Sequence, residues 1–425
     1  MARSKHTRPC DSCAVRKIKC DFENPCSNCQ KHNLTCTNDR KRKKSGPKNI
    51  KEKTRTTIYN LQTKIPLEIS LQCLRLYEAW YYGIWPVVSV DELIKNDSYS
   101  LICAISSVVV GQSLFISKPL IPPQIMKIDF LNESLKNRSM EPSTESVLTS
   151  FFLHIAFGLK GTQPVGICYL REAITLAQII GLHKPETYAF IDRKEQHRLR
   201  KLYYLLLVSE RFMCIEISMP VILEPTIPLP SLDDEEYSVL LNGFRQLVKV
   251  FAIPNKSFFN NFNDIQSSQL IITVQRQLDS IGISEVAPDI QKTNIILSKY
   301  WMKSLTWNIA KNNNLLELDG CLSIKYPFEI AQSFLKYDLP ILSFEFNGPG
   351  VSLKLLCIAT ALIDSIKLSQ DPSGYEYVQK LFNIVKQLKN DITVPVKDYV
   401  EVEEALNNLD LVQSLFIYSP STILS

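Results

Sequence analysis

CDSCAVRKIKCDFENPCSNCQKHNLTC, residues Cys10 to Cys36, carries six of the twelve cysteines in a chain of 425 residues. Arg16, Lys17 and Lys19 lie inside the same stretch. The spacing reads C-x2-C-x6-C-x5-C-x2-C-x6-C, so the second half repeats the first. One tetrahedral ion needs four ligands and uses six thiols poorly. Two ions need eight ligand positions, which six thiolates supply if two are shared, and tetrahedral thiolate coordination suits zinc. Each half offers a first cysteine placed for sharing. A segment this short cannot bury a core, so metal binding has to provide its folding energy. Eight-ligand frameworks are excluded, because the nearby histidines, His6 and His32, break the repeat.

Charge is uneven around this stretch. Residues 1–55 contain sixteen Lys/Arg and five Asp/Glu, a net of +11, while the whole chain is +5, which leaves −6 for the rest. A basic head on a mildly acidic body points to a polyanion bound by the head alone. The start, MARSKHTRPC, has charges but no apolar run behind them, so an export signal is not expected. A reducing compartment follows, and with it metal ligation rather than disulfides. The longest apolar stretch, Leu101 to Ile116, is short for a bilayer span and reads as a buried helix.

The six cysteines, Pro25 just before the fourth, and the basic run between the second and third resemble the fungal binuclear zinc-cluster (Zn2Cys6) family of transcription regulators. The resemblance implies two zinc ions, with Cys10 and Cys26 bridging and Cys13, Cys20, Cys29 and Cys36 as terminal ligands. It also implies that the first short helix enters the DNA major groove, with Arg16 and Lys17 at the base-facing positions. Donors there meet O6 and N7 of guanine, and the family commonly reads CGG-type triplets. Lys19, and less strongly Arg8 and Lys31, are candidates for phosphate contacts.

Residues 37–57 are polar and basic, with an unbroken basic run from Arg40 to Lys44 that suits nuclear import or extra phosphate contacts. A coiled coil after this linker is not supported. Ile58, Leu61 and Ile65 start a heptad, but Glu68 and Gln72 follow and Pro66 interrupts.

From about residue 70 the chain reads as helical. Leu170, Ala173, Ile174, Ala177 and Ile180 recur at helical spacing, with Gly181 where a left-handed cap belongs. Leu199, Leu202, Tyr203 and Leu206 form a second stripe, closed by Pro220. Gly181-Leu182-His183, Arg198/Arg200, Tyr203/Tyr204 and Glu210-Arg211 are similar to the middle homology region of zinc-cluster regulators. KKSGPKNI (43–50), CLRLYEAWYYGIWPVVSVDEL (73–93), LRKLYYLLLVSERF (199–212) and VFAIPNKSFF (250–259) resemble, in order, the yeast maltose-utilisation activators.

Tyr77, Trp80 and Tyr81 have core-helix spacing, whereas Trp85 falls off that stripe and is expected to be less tied to the core. The six later cysteines form no C-x-x-C pair and read as small buried hydrophobes. Motifs for nucleophilic, metal-hydrolytic or phosphate-loop catalysis are missing, so an enzyme is not expected. Residues 398–418 alternate acidic with apolar side chains, which suits either a docked terminal helix or an activation segment.

The expectation is a mostly α chain. A Zn2Cys6 DNA-binding module occupies 1–37 and a basic linker with an import signal 38–57. A large all-α regulatory domain follows at 58–397, then the terminal helix or acidic segment at 398–425. The implied partners are double-stranded DNA, the transcription machinery and a sugar inducer, with a homodimer lacking an evident coiled coil and no membrane. The implied setting is the nucleus, and the implied role is activation of genes for maltose or a related α-glucoside. The alternatives are a helical sensor or scaffold dominated by partner binding, and a regulator of another carbon-source pathway.

Overall fold

The computed structural model describes residues 8–40, 64–118, 120–234, 237–261, 264–388 and 396–417. Two compact units divide the chain, Met1–Lys64 and Ile65–Ser425. The import run beyond Arg40, the linker and the stretch tested for a coiled coil as far as residue 63 lie outside the described residues. Helices make up the framework, and among the described residues the only extended pairing is one isolated bridge, Glu317 to Ser323.

The small unit has two short helices, α1 (Asp11–Arg16) and α2 (Ser27–Lys31). In the large unit the principal helices, in chain order, are α3 (Leu67–Leu76), α4 (Tyr99–Ser113), α5 (Thr144–Leu159), α6 (Gln163–Ile179) and α7 (Arg193–Ile217). They continue with α8 (Ser238–Ala252), α9 (Asp289–Asn312), α10 (Gly350–Ser369), α11 (Tyr375–Gln387) and α12 (Val396–Ile417). Helices α5 and α6 form a hairpin on which α4 packs, and α9 packs on α10 and α8. None of the described helices is long and apolar enough to cross a membrane.

The apolar stripe of α6 is buried as its spacing predicts: Leu170, Ala173, Ile174 and Ala177 face the core. Helix α6 stops at Gly181, whose φ is +79°. The Leu182 N–H returns to the Ala177 carbonyl at 2.9 Å and the Gly181 N–H to the Gln178 carbonyl at 3.0 Å. This pair of bonds is a Schellman closure, which needs the left-handed residue that glycine supplies without a Cβ clash. Asp192 starts α7 by accepting the Glu195 N–H at 3.0 Å.

Two apolar cores fill the large unit. The first gathers residues from Cys73 to Val248 together with Phe346, the second residues from Cys214 to Leu406. Helix α7 runs from the first to the second. At the junction it carries adjacent, fully buried charges, Glu210 and Arg211. Glu210 pairs with Arg171 of α6 and accepts the N–H groups of Ile222 and Leu223 at 2.9 and 2.8 Å. Arg171 also donates to the Pro220 carbonyl at 2.7 Å. Arg211 donates to the carbonyls of Phe251 (2.5 Å) and Pro254 (2.6 Å) beyond α8, and to Glu224 at 3.2 Å. The extended segment after α7 is thereby strapped across the seam between the cores.

Three expectations change or sharpen. Trp85 is 8% exposed and belongs to the first core, whereas Trp80 is 41% exposed and stacks on Phe346. The reason is a π turn over Tyr77–Tyr81, seen in the Tyr82 N–H bond to the Tyr77 carbonyl at 2.8 Å. The wider turn keeps Tyr77 and Tyr81 inside and swings Trp80 outward. Of the later cysteines, Cys73, Cys103 and Cys214 are buried, Cys321 and Cys357 half-buried, and Cys168 exposed. Cys168 sits on the face of α6 opposite Leu170, which ordinary helical geometry turns to solvent. The acidic C-terminal stretch forms α12, with Val402 and Leu406 buried in the second core.

Arg211→Ala should destabilise the large unit by about 3–5 kcal/mol, because it strips a buried charge from partners that stay buried. Arg198→Ala, which breaks a partly exposed pair with Glu195 one turn away, should cost about 0–1 kcal/mol. Urea unfolding followed by tryptophan emission compares them. Equal costs would mean that the seam does not hold the cores together.

Candidate metal centre and nucleic-acid interface

The repeat in the cysteine spacing becomes a repeat in backbone geometry. Cys10 and Cys26 both cap a helix in extended conformation, at φ −61°, ψ 159° and φ −70°, ψ 152°. The Cys10 carbonyl accepts the Ala14 N–H and the Cys26 carbonyl accepts the Gln30 N–H, each at 2.9 Å. The Cys13 carbonyl accepts from Ile18 (3.2 Å) and the Cys29 carbonyl from Leu34 (2.9 Å). Lys17 and Asn33, at the matching position in each half, both turn left-handed, at φ +52° and +48°. Each half thus runs cap, one helical turn, reversal, and return to the third cysteine.

This geometry brings the six sulfurs together. Cys10, Cys13, Cys20, Cys26 and Cys29 are buried and Cys36 is half-buried. Two groups of four have ligand atoms within 4.8 Å of one another: Cys10, Cys13, Cys20 and Cys26, and Cys10, Cys26, Cys29 and Cys36. Cys10 and Cys26 occur in both. The sulfurs of Cys10 and Cys26 stand 3.7 Å apart, those of Cys10 and Cys29 3.5 Å, and those of Cys13 and Cys26 3.6 Å. A disulfide would require about 2.05 Å. A tetrahedron with Zn–S bonds of about 2.3 Å has edges of about 3.8 Å, so the donor set fits two zinc ions sharing two sulfurs. Burial and the neighbouring sulfurs of Cys26 and Cys10 push the Cys29 thiol up to about 12. Thiols bind zinc as thiolates, so binding of the dication displaces their protons to solvent.

The basic side chains divide by surroundings. Arg16 closes the last turn of α1, Lys17 caps it, and both are exposed, as is Lys19. Cations at a helix C-terminus are favoured by its partial negative charge. Val15 and Ile18 beside them are also exposed, at 74% and 42%. Lys31 is exposed at the end of α2. Arg8 is different: it donates to the Asn38 side chain at 2.9 Å and the Asn38 carbonyl at 2.7 Å, tying the start of the head to its end. Asp11 reinforces this closure by accepting the Asp39 N–H at 2.7 Å and the Thr37 hydroxyl at 3.1 Å. Sequence reading missed these closing contacts, because their partners lie 26 to 30 positions apart.

A compact module held by six thiolates, with a cationic helix end turned to solvent, defines a zinc-cluster DNA-binding protein. Residues 8–45 match the fungal Zn(2)-Cys(6) binuclear cluster domain, whose metal content is two zinc ions. Over 96% of its length the chain is 49% identical to the probable sucrose utilization protein SUC1 of Candida albicans, covering 89% of that protein. It is 29% identical to the maltose fermentation regulatory protein MAL13 of Saccharomyces cerevisiae, over 84% of this chain and 83% of that one. With the maltose fermentation regulatory protein YPR196W of the same yeast it shares 30% identity, over 88% and 86%. The chain belongs to the fungal Zn(2)-Cys(6) binuclear-cluster family of transcription regulators.

All four tryptophans, at 80, 85, 301 and 307, lie in the large unit. Chelation of zinc from the full-length protein should therefore abolish DNA binding while leaving tryptophan emission unchanged. Loss of both signals together would contradict metal-driven folding confined to the head.

Proposed function

We propose that this chain is a nuclear, sequence-specific activator of genes for the use of sucrose, maltose or a related α-glucoside, and not an enzyme. The observation that carries this reading is the extent of the similarity. Identity of 49% to a sucrose utilization protein runs over 96% of the chain, so the body is shared as well as the head. Regulation of another carbon-source pathway is the second reading, favoured by 27% identity to the respiratory transcription factor ZNF1 of Saccharomyces cerevisiae. The higher identity to the sucrose protein ranks it second.

In this reading residues 1–37 bind DNA, 38–57 link and carry the import signal, 58–397 regulate, and 398–425 complete the body or contact the transcription machinery. Cys10 and Cys26 bridge two zinc ions, and Cys13, Cys20, Cys29 and Cys36 complete the two tetrahedra. Their membership of both sulfur groups supports the bridging roles of Cys10 and Cys26. Arg16 and Lys17 face the bases, a role supported by their exposure at the end of α1. Lys19 contacts phosphate. A double-stranded site with CGG-type triplets is the target, since guanine offers O6 and N7 as paired acceptors.

Growth tests the biological assignment. A strain lacking the gene should fail on sucrose or maltose and grow normally on glucose, and normal growth on every disaccharide would overturn the sugar assignment. Metal analysis tests the ligands. Cys10→Ala should leave less than about one zinc per chain, whereas Cys36→Ala should retain about one, because the first removes a ligand from both tetrahedra. Competition binding tests the DNA contacts. Lys17→Ala should lose about 1–3 kcal/mol of discrimination against a mutated triplet, while Lys19→Ala should weaken matched and mutated sites alike. Equal weakening by Lys17→Ala would assign it to the phosphates.

A further inference from the structure

Helix α1 leaves an apolar side chain in the open. Val15 is 74% exposed, inside a helix of six residues whose buried member is Cys13. A helix advances about 100° per residue, so two positions beyond Cys13 set Val15 on the side away from the sulfurs. The first turn of α1 is covered by the end of the module. There the Asp11 N–H donates to the Thr37 carbonyl and the Ser12 hydroxyl to the Thr35 carbonyl, each at 2.8 Å. Val15 and Arg16, in the last turn, are exposed.

Neither helix stability nor packing accounts for a valine at this position. A β-branched side chain loses freedom in a helix, and valine is a poorer helix former than alanine, lysine or glutamine. Burial usually offsets that cost, and Val15 is not buried. Ile18, the next apolar residue, is different. Its N–H bonds the Cys13 carbonyl at 3.2 Å, and the Lys17 N–H bonds the Ala14 carbonyl at 3.4 Å, with Lys17 left-handed. These bonds make a Schellman closure, in which the residue at the position of Ile18 commonly packs back onto the helix. Ile18 is accordingly less exposed, at 42%. Helix closure gives Val15 no such role.

The surroundings of Val15 narrow what covers it. Arg16, Lys17 and Lys19 are exposed close to it in the chain, so this end of α1 is cationic and suits a polyanion. Hydrogen-bond donors and acceptors make up most of what base pairs present in the major groove, and the apolar group there is the C5 methyl of thymine. A valine carried into the groove with the cations would leave a polar edge unpaired against any other base. We propose that Val15 contacts the C5 methyl of a thymine next to the triplet and is a specificity-determining residue alongside Arg16 and Lys17. The proposal rests on the reading of α1 as the element that enters the major groove, and adds one base pair to the site it recognises.

Uracil in place of thymine keeps the pairing edge and O4 and removes only the methyl. Duplexes that the full-length, zinc-loaded protein selects from random DNA are remade with each thymine replaced in turn. Affinities are compared by competition at one fixed salt concentration. One replacement beside the triplet should weaken the wild type about fourfold, the loss expected for one methyl group withdrawn from contact. Val15→Ala should bind the thymine and uracil duplexes alike, at about the affinity of the wild type for uracil. It should keep its zinc, because the side chain is exposed and alanine favours the helix. Val15→Ile should restore the preference for thymine. Equal binding of every uracil duplex by the wild type would overturn the proposal, as would a methyl preference that survives Val15→Ala. A Val15→Ala protein that binds every duplex as the wild type does, yet fails to drive a reporter in cells, would make Val15 a contact for another protein and overturn it too. Mutation of the triplet itself judges the underlying reading. If that costs the wild type nothing, the major-groove reading falls and this proposal with it. If it weakens binding while no uracil does, only the role of Val15 falls.

Discussion

Glu210 and Arg211 are neighbours on one helix and both are fully buried, so the large unit must supply each with partners from elsewhere in the chain. A buried charge left alone costs several kcal/mol, of order 3–5 when one member of a pair is removed. Arg171 answers Glu210 from the preceding helix. The carbonyls of Phe251 and Pro254 answer Arg211 from beyond the following one. Because the two side chains leave the helix in different directions, their partners lie on different sides of it. Satisfying both ties the first core to the second. The same helix continues as one wall of a cavity between the two cores through Phe212, Met213 and Glu216.

The small unit solves the opposite problem. Among its described residues it has almost no apolar core, and the buried side chains there are five cysteines. Its order comes from two copies of one local backbone path, each ending with a sulfur aimed inward. Two cations hold these copies together, which is why the polar contacts around Asp11, Arg8 and Asn38 can be few. A scaffold fixed by metal leaves its surface free of packing duties. Arg16, Lys17 and Lys19 are exposed for that reason, and stay available to an anionic partner.

How much of this was legible in the sequence depends on the range of the interaction concerned. The spacing of the cysteines and the capping glycine at 181 are local signals, because ligand geometry and helix termination act over a few residues. The stripe on α6 was equally plain, since burial follows a period of 3.6. The aromatic run is helical as its spacing predicts, but its two tryptophans exchange places. An α-helical period makes Trp80 a core residue and frees Trp85, but the π turn reverses them. Nothing in the spacing of those rings reveals an extra residue in the turn.

By itself, then, the sequence determined the metal centre, the basic helix end and the helical class, since each follows from residue type at short separation. Only the tertiary structure decided which groups answer the buried charges of α7. Arg171, Phe251 and Pro254 are separated by long stretches of chain and share no motif. They meet Glu210 and Arg211 because two cores adjoin at α7. That junction depends on how whole helices pack, which is a property of long-range contacts and not of local pattern.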